Sequence, residues 1–208
     1  MGKQTVEKLL TRFGVTDMVF LQGWGEPLLH PHFWEMARAA KSAGATVGFT
    51  TNGVPLVDKQ ISKLFEEQLE VMCISLAGAT AVTHERFRQG CDFARIDNAL
   101  RTIKDIKRES RLENPSVHLA FMLLRSNWRE LSKLPTLASE WGVTQVIINN
   151  LSFIANPAMQ NESLLVQPEL WPEIKATLED AKKQAADRGI LLHYHQPHLE
   201  EPCTICTE

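Results

Sequence analysis

Short apolar runs alternate along the chain with longer stretches whose apolar residues recur at helical spacing. Val6, Leu9, Leu10 and Phe13 mark a first helix, which Gly14 stops. Residues 17–22 (DMVFLQ) follow as a short strand. Phe33, Met36, Ala37 and Ala40 predict the next helix, with Pro31 near its start and Gly44 at its end. Further strands are predicted at 46–51 (TVGFTT), 71–77 (VMCISLA), 117–124 (VHLAFMLL) and 144–150 (TQVIINN), and 190–195 (ILLHYH) is a candidate for one more. Ile61, Leu64, Phe65 and Leu69 give a helical stripe, as do Ile96, Leu100, Ile103 and Ile106. Leu170, Ile174, Leu178, Ala181 and Ala185 give the last one, closed by Gly189. Residues 127–141 read as a helix with a break, because Pro135 cannot donate to the preceding turn. Residues 155–168 are polar and read as loop.

Strands that are apolar on both faces and separated by amphipathic helices predict a parallel sheet. A barrel or partial barrel is favoured over an open doubly wound sheet, which stays open as the alternative. The chain begins with a helix where a βα unit would begin with a strand, and it ends soon after a pair of tail cysteines. Both ends therefore read as cuts.

The composition narrows the class. A chain of 208 residues suits one domain, and its 44% hydrophobic and 23% charged residues exclude disorder and collagen-like repeats. No run of 18 apolar residues is present, so no helical membrane span is expected. Met1-Gly2-Lys3-Gln4 leads into no apolar run, so no secretory signal is expected. A net charge of −3 argues against a nucleic-acid partner. Four cysteines, at 73, 91, 203 and 206, are too few for a disulfide framework, and a reducing cytoplasm is the default compartment.

In parallel βα architectures ligands collect at the C-terminal ends of the strands. The predicted strands here end in Gln22-Gly23-Trp24-Gly25-Glu26-Pro27, Thr51-Asn52-Gly53, Ser75 running into Ala77-Gly78, Arg125-Ser126-Asn127, and Asn149-Asn150. Glycine beside Glu26 lets backbone approach a ligand, and Glu26-Pro27 makes a rigid turn. Any one of these is an ordinary βα turn; five at one barrel mouth point to a site. Alternation places Cys73 and Ser75 on one strand face. Arg88 reads either as a ligand residue or as a loop arginine beside an ion pair of Glu85 and Arg86.

Four ordered segments then carry a resemblance. LQGWGEPLLHP at 21–31 resembles the GGEP motif of the radical S-adenosylmethionine (SAM) superfamily in its GWGEPLL form. FTTNG at 49–53, ISLAGATAVTHERFRQG at 74–90 and FMLLRSN at 121–127 resemble the segments that follow it. The resemblance implies an α/β fold: a partial (β/α)6 TIM-like barrel of parallel strands, here with its first strand missing, and SAM lying across its mouth. It implies that the backbone of Gly23, Trp24, Gly25 and Glu26 meets the methionine amino group, with Gln22 beside it and the strand end at Thr51 and Asn52 in the same site. Ser75 matches the residue that touches the ribose, and Arg88 the one that meets the carboxylate, for which a guanidinium is geometrically suited. Asn127 is implied at the ribose or carboxylate, and backbone near Asn150 and Leu151 at the adenine.

Two departures stand out. The family's SLDG aspartate is Ala77 here. The CxxxCxxC that holds the family's [4Fe–4S] cluster is absent, and Cys73 and Cys91 have neither its spacing nor its loop. Residues 1–195 are thus expected to form a barrel incomplete at its N-terminus. Residues 196–208, with Cys203 and Cys206, resemble the start of a SPASM-type extension that holds auxiliary [4Fe–4S] clusters. A rival reading builds a zinc site from His193, His195, His198, Cys203 and Cys206. His30 and His32, flanking Pro31, read as structural.

The implied function is an enzyme core: reductive cleavage of SAM to a 5′-deoxyadenosyl radical in the complete protein, acting on a peptide or in cofactor maturation. A small-molecule or peptide substrate and an electron donor such as a flavodoxin or ferredoxin are the implied partners, with no nucleic acid and no membrane. This chain alone is expected to be inactive. The alternative is a non-catalytic barrel that binds a nucleotide-like ligand or a partner. Without a preceding strand, the edge of strand 17–22 should expose Val19 and Leu21 and favour edge-to-edge self-association.

Overall fold

The computed structural model describes residues 3–154 and 156–194. Seven α-helices alternate with six strands among them. They are α1 (Lys3–Leu10), β1 (Met18–Leu21), α2 (Phe33–Ser42), β2 (Thr46–Thr51), α3 (Asp58–Glu66), β3 (Val71–Leu76), α4 (Ala81–Phe87), α5 (Phe93–Ser110), β4 (Ser116–Leu123), α6 (Leu134–Glu140), β5 (Gln145–Asn150), α7 (Trp171–Ala186) and β6 (Leu191–Tyr194). The strands form one sheet in the order β1-β2-β3-β4-β5-β6, and every neighbouring pair is parallel. Parallel neighbours in chain order need crossover connections, and crossovers that all share one hand put the helices on one face of the sheet. The result is the α/β partial barrel that the sequence pattern favours over an open doubly wound sheet. The candidate strand at 190–195 is real over Leu191–Tyr194 and pairs with β5.

Burial alternates accordingly. In β4, Val117, Leu119, Phe121 and Leu123 are buried while Ser116, His118, Ala120 and Met122 are half-buried. The buried set joins Ile61, Leu64, Ile96, Leu100 and Ile103 of the helices in one core. Burying each such side chain contributes roughly 1.5–3 kcal/mol. A truncation such as Leu100→Ala, at a fully buried position, would cost about 2–5 kcal/mol through lost burial and the cavity left behind. The opposite face is the concave one. There Gly48 lies in register with Phe20, and a Cβ at Gly48 would sit 2.6 Å from the Phe20 ring. The glycine therefore leaves room for that ring to lie across β2.

Local chemistry sets the helix ends. Asp92 caps α5 by accepting from the Arg95 N–H, and Thr80 caps α4 by accepting from the Thr83 N–H. Pro135 falls in the first turn of α6, after a 3₁₀ turn at 128–133, so the expected break separates two elements. The expected loop at 155–168 carries 3₁₀ turns at 157–162 and 164–166. The edge of β1 differs from expectation. Val19 and Leu21 pack against the core, whereas Met18 and Phe20 are 43% and 38% exposed. Alternation turns the expected pair inward, toward the helices. Among the described residues β1 pairs only with β2.

Candidate functional site

The ends of β1, β2 and β3 converge on one cavity of about 540 Å³. The turn after β1 reaches it first. Gly25 has φ of 105°, a left-handed conformation that glycine adopts without a Cβ penalty. Glu26 caps the 3₁₀ turn at Pro27–Leu29 by accepting from the Leu28 N–H at 3.2 Å. Its carboxylate also accepts from the Thr51 hydroxyl and the Asn52 N–H, each at 2.7 Å. Glu26 therefore ties the β1 turn to the β2 turn, and Gly23, Trp24 and Gly25 line the cavity beside this tie. Gln22 joins the same tie, its side-chain carbonyl accepting from the Thr50 hydroxyl at 3.0 Å. The β2 turn is closed by local bonds, from the Gly53 N–H to Thr51 Oγ1 and from the Val54 N–H to Asn52 Oδ1.

The third contribution comes from β3 and the end of α4. Ser75 is half-buried on the concave face, two residues after Cys73 as alternation requires. Arg88, at the C-terminus of α4, donates from Nη2 to Ser75 Oγ at 2.7 Å. The alternative ion pair is not formed: Glu85 accepts from the Phe93 N–H, and Arg86 faces Glu162 at 3.6 Å. Among the described lining residues Arg88 is the only cation.

Of the expected ligand residues, Gln22, Gly23, Trp24, Gly25, Glu26, Thr51, Asn52, Ser75 and Arg88 line this cavity together. Asn127, Asn150 and Leu151 do not. Asn127 is fully buried. Its Oδ1 accepts from the Leu124 N–H, and its Nδ2 donates to the carbonyls of Ala77 and Met122. Both polar groups of that buried side chain are thus engaged within the protein. Asn150 accepts from the Tyr194 hydroxyl at 3.4 Å, and the Leu151 carbonyl accepts from Ser163. Thr50 lines the cavity without having been foreseen; its register with Cys73 on the concave face was the available signal. Trp24 is 97% exposed at the rim, where its ring meets that of Phe153 edge-on at 6.3 Å.

Burial shapes the titration of the neighbouring groups. It pushes the Cys73 thiol up to about 11, against hydrogen bonds that favour the thiolate. His84 of α4 is pushed down to about 4, by burial first and by the Arg88 charge second, with Glu85 opposing. The Cys91 thiol is raised, again mainly by burial.

A glycine-rich turn and one guanidinium at a single cavity are chemically suited to an α-amino acid zwitterion. Backbone carbonyls of a glycine-rich turn suit an ammonium, and a guanidinium suits a carboxylate. The volume is that of an ordinary small-ligand pocket. SAM, which ends in this zwitterion, fits that chemistry. Among the described residues no group of three His, Cys, Asp or Glu is placed to hold a metal ion. His193 lies on β6, while His195, His198, Cys203 and Cys206 lie outside the described residues. His32 contacts Glu35 at 2.8 Å and its N–H donates to His30 Nδ1, as structural histidines do. Among the described residues no helix is long and apolar enough to cross a membrane.

The chain is 31% identical over 122 residues to the mycofactocin maturase MftC of Mycobacterium tuberculosis, a match covering 59% of this chain and 30% of that protein. It is 25% identical over 144 residues to the tungsten-containing aldehyde ferredoxin oxidoreductase cofactor-modifying protein of Pyrococcus furiosus, covering 67% of this chain and 39% of that protein. Its fold matches that of SuiB from Streptococcus suis bound to S-adenosylmethionine, with a TM-score of 0.71 at 12% identity over 94% of this chain and 44% of that one. SuiB bound to the precursor peptide SuiA gives the same TM-score and identity, over 94% of this chain and 42% of that one. The chain spans less than half the length of each of these proteins. Residues 3–135 match the Radical SAM superfamily, and with more than half of its length in that match the chain belongs to this family.

Proposed function

We propose that this chain is the SAM-binding core of a radical SAM enzyme that modifies a peptide or takes part in cofactor maturation. The observation that carries the reading is the Arg88–Ser75 pair lining the same cavity as the glycine-rich turn after β1. In this reading the carbonyls of that turn hold the methionine ammonium and Arg88 holds the carboxylate. Ser75, already bonded to Arg88, turns its remaining hydrogen-bonding capacity to the ribose. Glu26 keeps the two turns in register and touches no ligand. The chemistry proposed for the complete enzyme is reductive cleavage of SAM to a 5′-deoxyadenosyl radical, with the electron supplied through a [4Fe–4S] cluster from a donor such as a flavodoxin or ferredoxin. The sequence contains no CxxxCxxC, and on that ground this chain by itself is read as binding SAM without cleaving it. An auxiliary cluster at Cys203 and Cys206 belongs to the same proposal. Iron–sulfur chemistry and free thiols favour the cytoplasm.

The substrate class rests on the relatives: a maturase, a cofactor-modifying protein and a structural neighbour solved with a peptide. Titration calorimetry with SAM tests the binding half. Saturable binding that Arg88→Ala weakens supports the reading; absence of binding overturns it. Anaerobic iron–sulfur reconstitution, iron counting and assay for 5′-deoxyadenosine test the second half. A preparation with four irons per chain that turns over SAM would overturn the assignment of cluster ligands elsewhere.

A further inference from the structure

We infer that Asn127 and Glu130 are positioning residues: they clamp the turn between β3 and α4 and thereby fix Arg88 against Ser75. For its SAM readout the inference rests on the function proposed above. Glu130 lies in the 3₁₀ turn at Trp128–Lys133, just after β4. One carboxylate oxygen accepts from the Ala79 N–H at 2.7 Å. The other accepts from the Thr80 hydroxyl at 2.9 Å and the Thr83 hydroxyl at 2.7 Å. Asn127 holds the same turn from below, donating to the Ala77 carbonyl at 3.0 Å. The Ala77 N–H in turn donates to His84 Nδ1 at 3.3 Å. The turn thus has both ends tied, to the segment after β4 and to α4 itself.

Apolar packing does little to place α4. Its seven residues bury one side chain, His84, whereas α2 buries Phe33, Met36, Ala37 and Ala40. Val82 of α4 is 82% exposed. The position of the helix is therefore set largely by the hydrogen bonds at its N-terminus. At its other end, the Arg88 N–H donates to the His84 carbonyl at 2.8 Å, and the guanidinium reaches Ser75. Close approach tightens the arrangement: a Cβ on Gly78 would lie 2.6 Å from the His84 backbone nitrogen. Releasing the clamp lets this two-turn helix rock, and Arg88 moves with it.

A double-mutant cycle with SAM as the probe is the test. Glu130→Ala should weaken binding roughly tenfold, the scale of losing hydrogen bonds to a charged group, and Glu130→Gln should recover part of the loss. On an Arg88→Ala background, Glu130→Ala should change affinity by less than about twofold, because its effect passes through Arg88. A folded Glu130→Ala protein with wild-type affinity, or an equal loss on both backgrounds, overturns the inference. Hydrogen exchange of the free chain supplies a readout independent of SAM. Glu130→Ala should accelerate exchange across 77–88 and leave β2 and α5 unchanged. If wild type binds no SAM, the proposed function fails and this arm alone decides. No change in 77–88, or a uniform change across the chain, overturns the clamp. Should Glu130→Ala not fold, Thr83→Val removes a single donor and is read in the same way.

Discussion

Glu26 accepts the Asn52 N–H at 2.7 Å, so the carboxylate that sits in the glycine-rich turn holds the next turn in place. Glu26→Gln would set a side-chain amide among donors from Leu28, Thr51 and Asn52. The expected cost is about 1–2 kcal/mol of stability, the scale of a part-exposed hydrogen bond to a charged group. Urea unfolding checks this. Unchanged stability with a sharp fall in SAM affinity would instead make Glu26 a ligand residue.

Removing the Arg88 guanidinium should weaken SAM binding by about 1.5–3 kcal/mol. Arg88→Lys should restore only part, because an ammonium cannot satisfy carboxylate and Ser75 with the same planar fork. Ser75→Ala should cost less, about 0.5–1.5 kcal/mol. Calorimetry on the three variants checks the order; equal affinity for wild type and Arg88→Ala removes Arg88 from the site.

Acid should destabilise the chain through His84. Its folded pKa, about 4, lies below the ordinary 6.5, chiefly because the ring is buried and secondarily because Arg88 is near. The unfolded chain therefore binds the extra proton first as pH falls. Stability is full above about pH 6.5 and declines toward pH 4, by up to about 3 kcal/mol. His118 shifts the same way, through burial and then His193. His84→Asn, which keeps an acceptor and removes the titration, should flatten the stability profile between pH 6.5 and 4. Parallel profiles for variant and wild type would rule His84 out as the source.

The β1 edge should promote self-association. Met18 and Phe20 are exposed beside backbone groups that pair only with β2 among the described residues. An apolar groove lined by Leu9, Phe13, Phe33 and Met36 lies next to it. Burying the exposed part of Met18 and Phe20, 43% and 38% of each, would contribute roughly 0.5–1 kcal/mol each. Sedimentation should show concentration-dependent association, and Met18→Lys should suppress it by charging the edge. A wild-type monomer at all concentrations would count against the edge as a contact surface.

Where apolar periodicity was strong, the fold was legible from residues alone. The strand predicted at 46–51 is β2 to the residue, because Val47, Phe49 and Thr51 face the helices and turn chemistry bounds both ends. Helix α4 was not legible as a helix, because one buried histidine makes no periodic stripe. Most of the pocket was legible because glycine, asparagine and serine cluster at strand ends. Asn127 sits at such an end too, yet its amide turns back into the protein. Nothing local distinguishes an asparagine that faces a ligand from one that holds a neighbouring turn; only the partners Ala77, Met122 and Leu124 do. Thr50 went unnoticed because a threonine inside a strand is ordinary strand chemistry.

Trp24 gives the molecule a built-in optical handle. Trp128, Trp141 and Trp171 are nearly or fully sealed from water, and Trp34 is packed against the core, whereas Trp24 stands almost wholly in solvent at the cavity rim. Its emission should be red-shifted relative to the sealed indoles and open to quenching by iodide, which a titration with iodide checks. A ligand settling in the cavity that Trp24 lines should change the surroundings of that one ring more than those of the sealed indoles, so occupancy becomes readable in the protein's own fluorescence without a label.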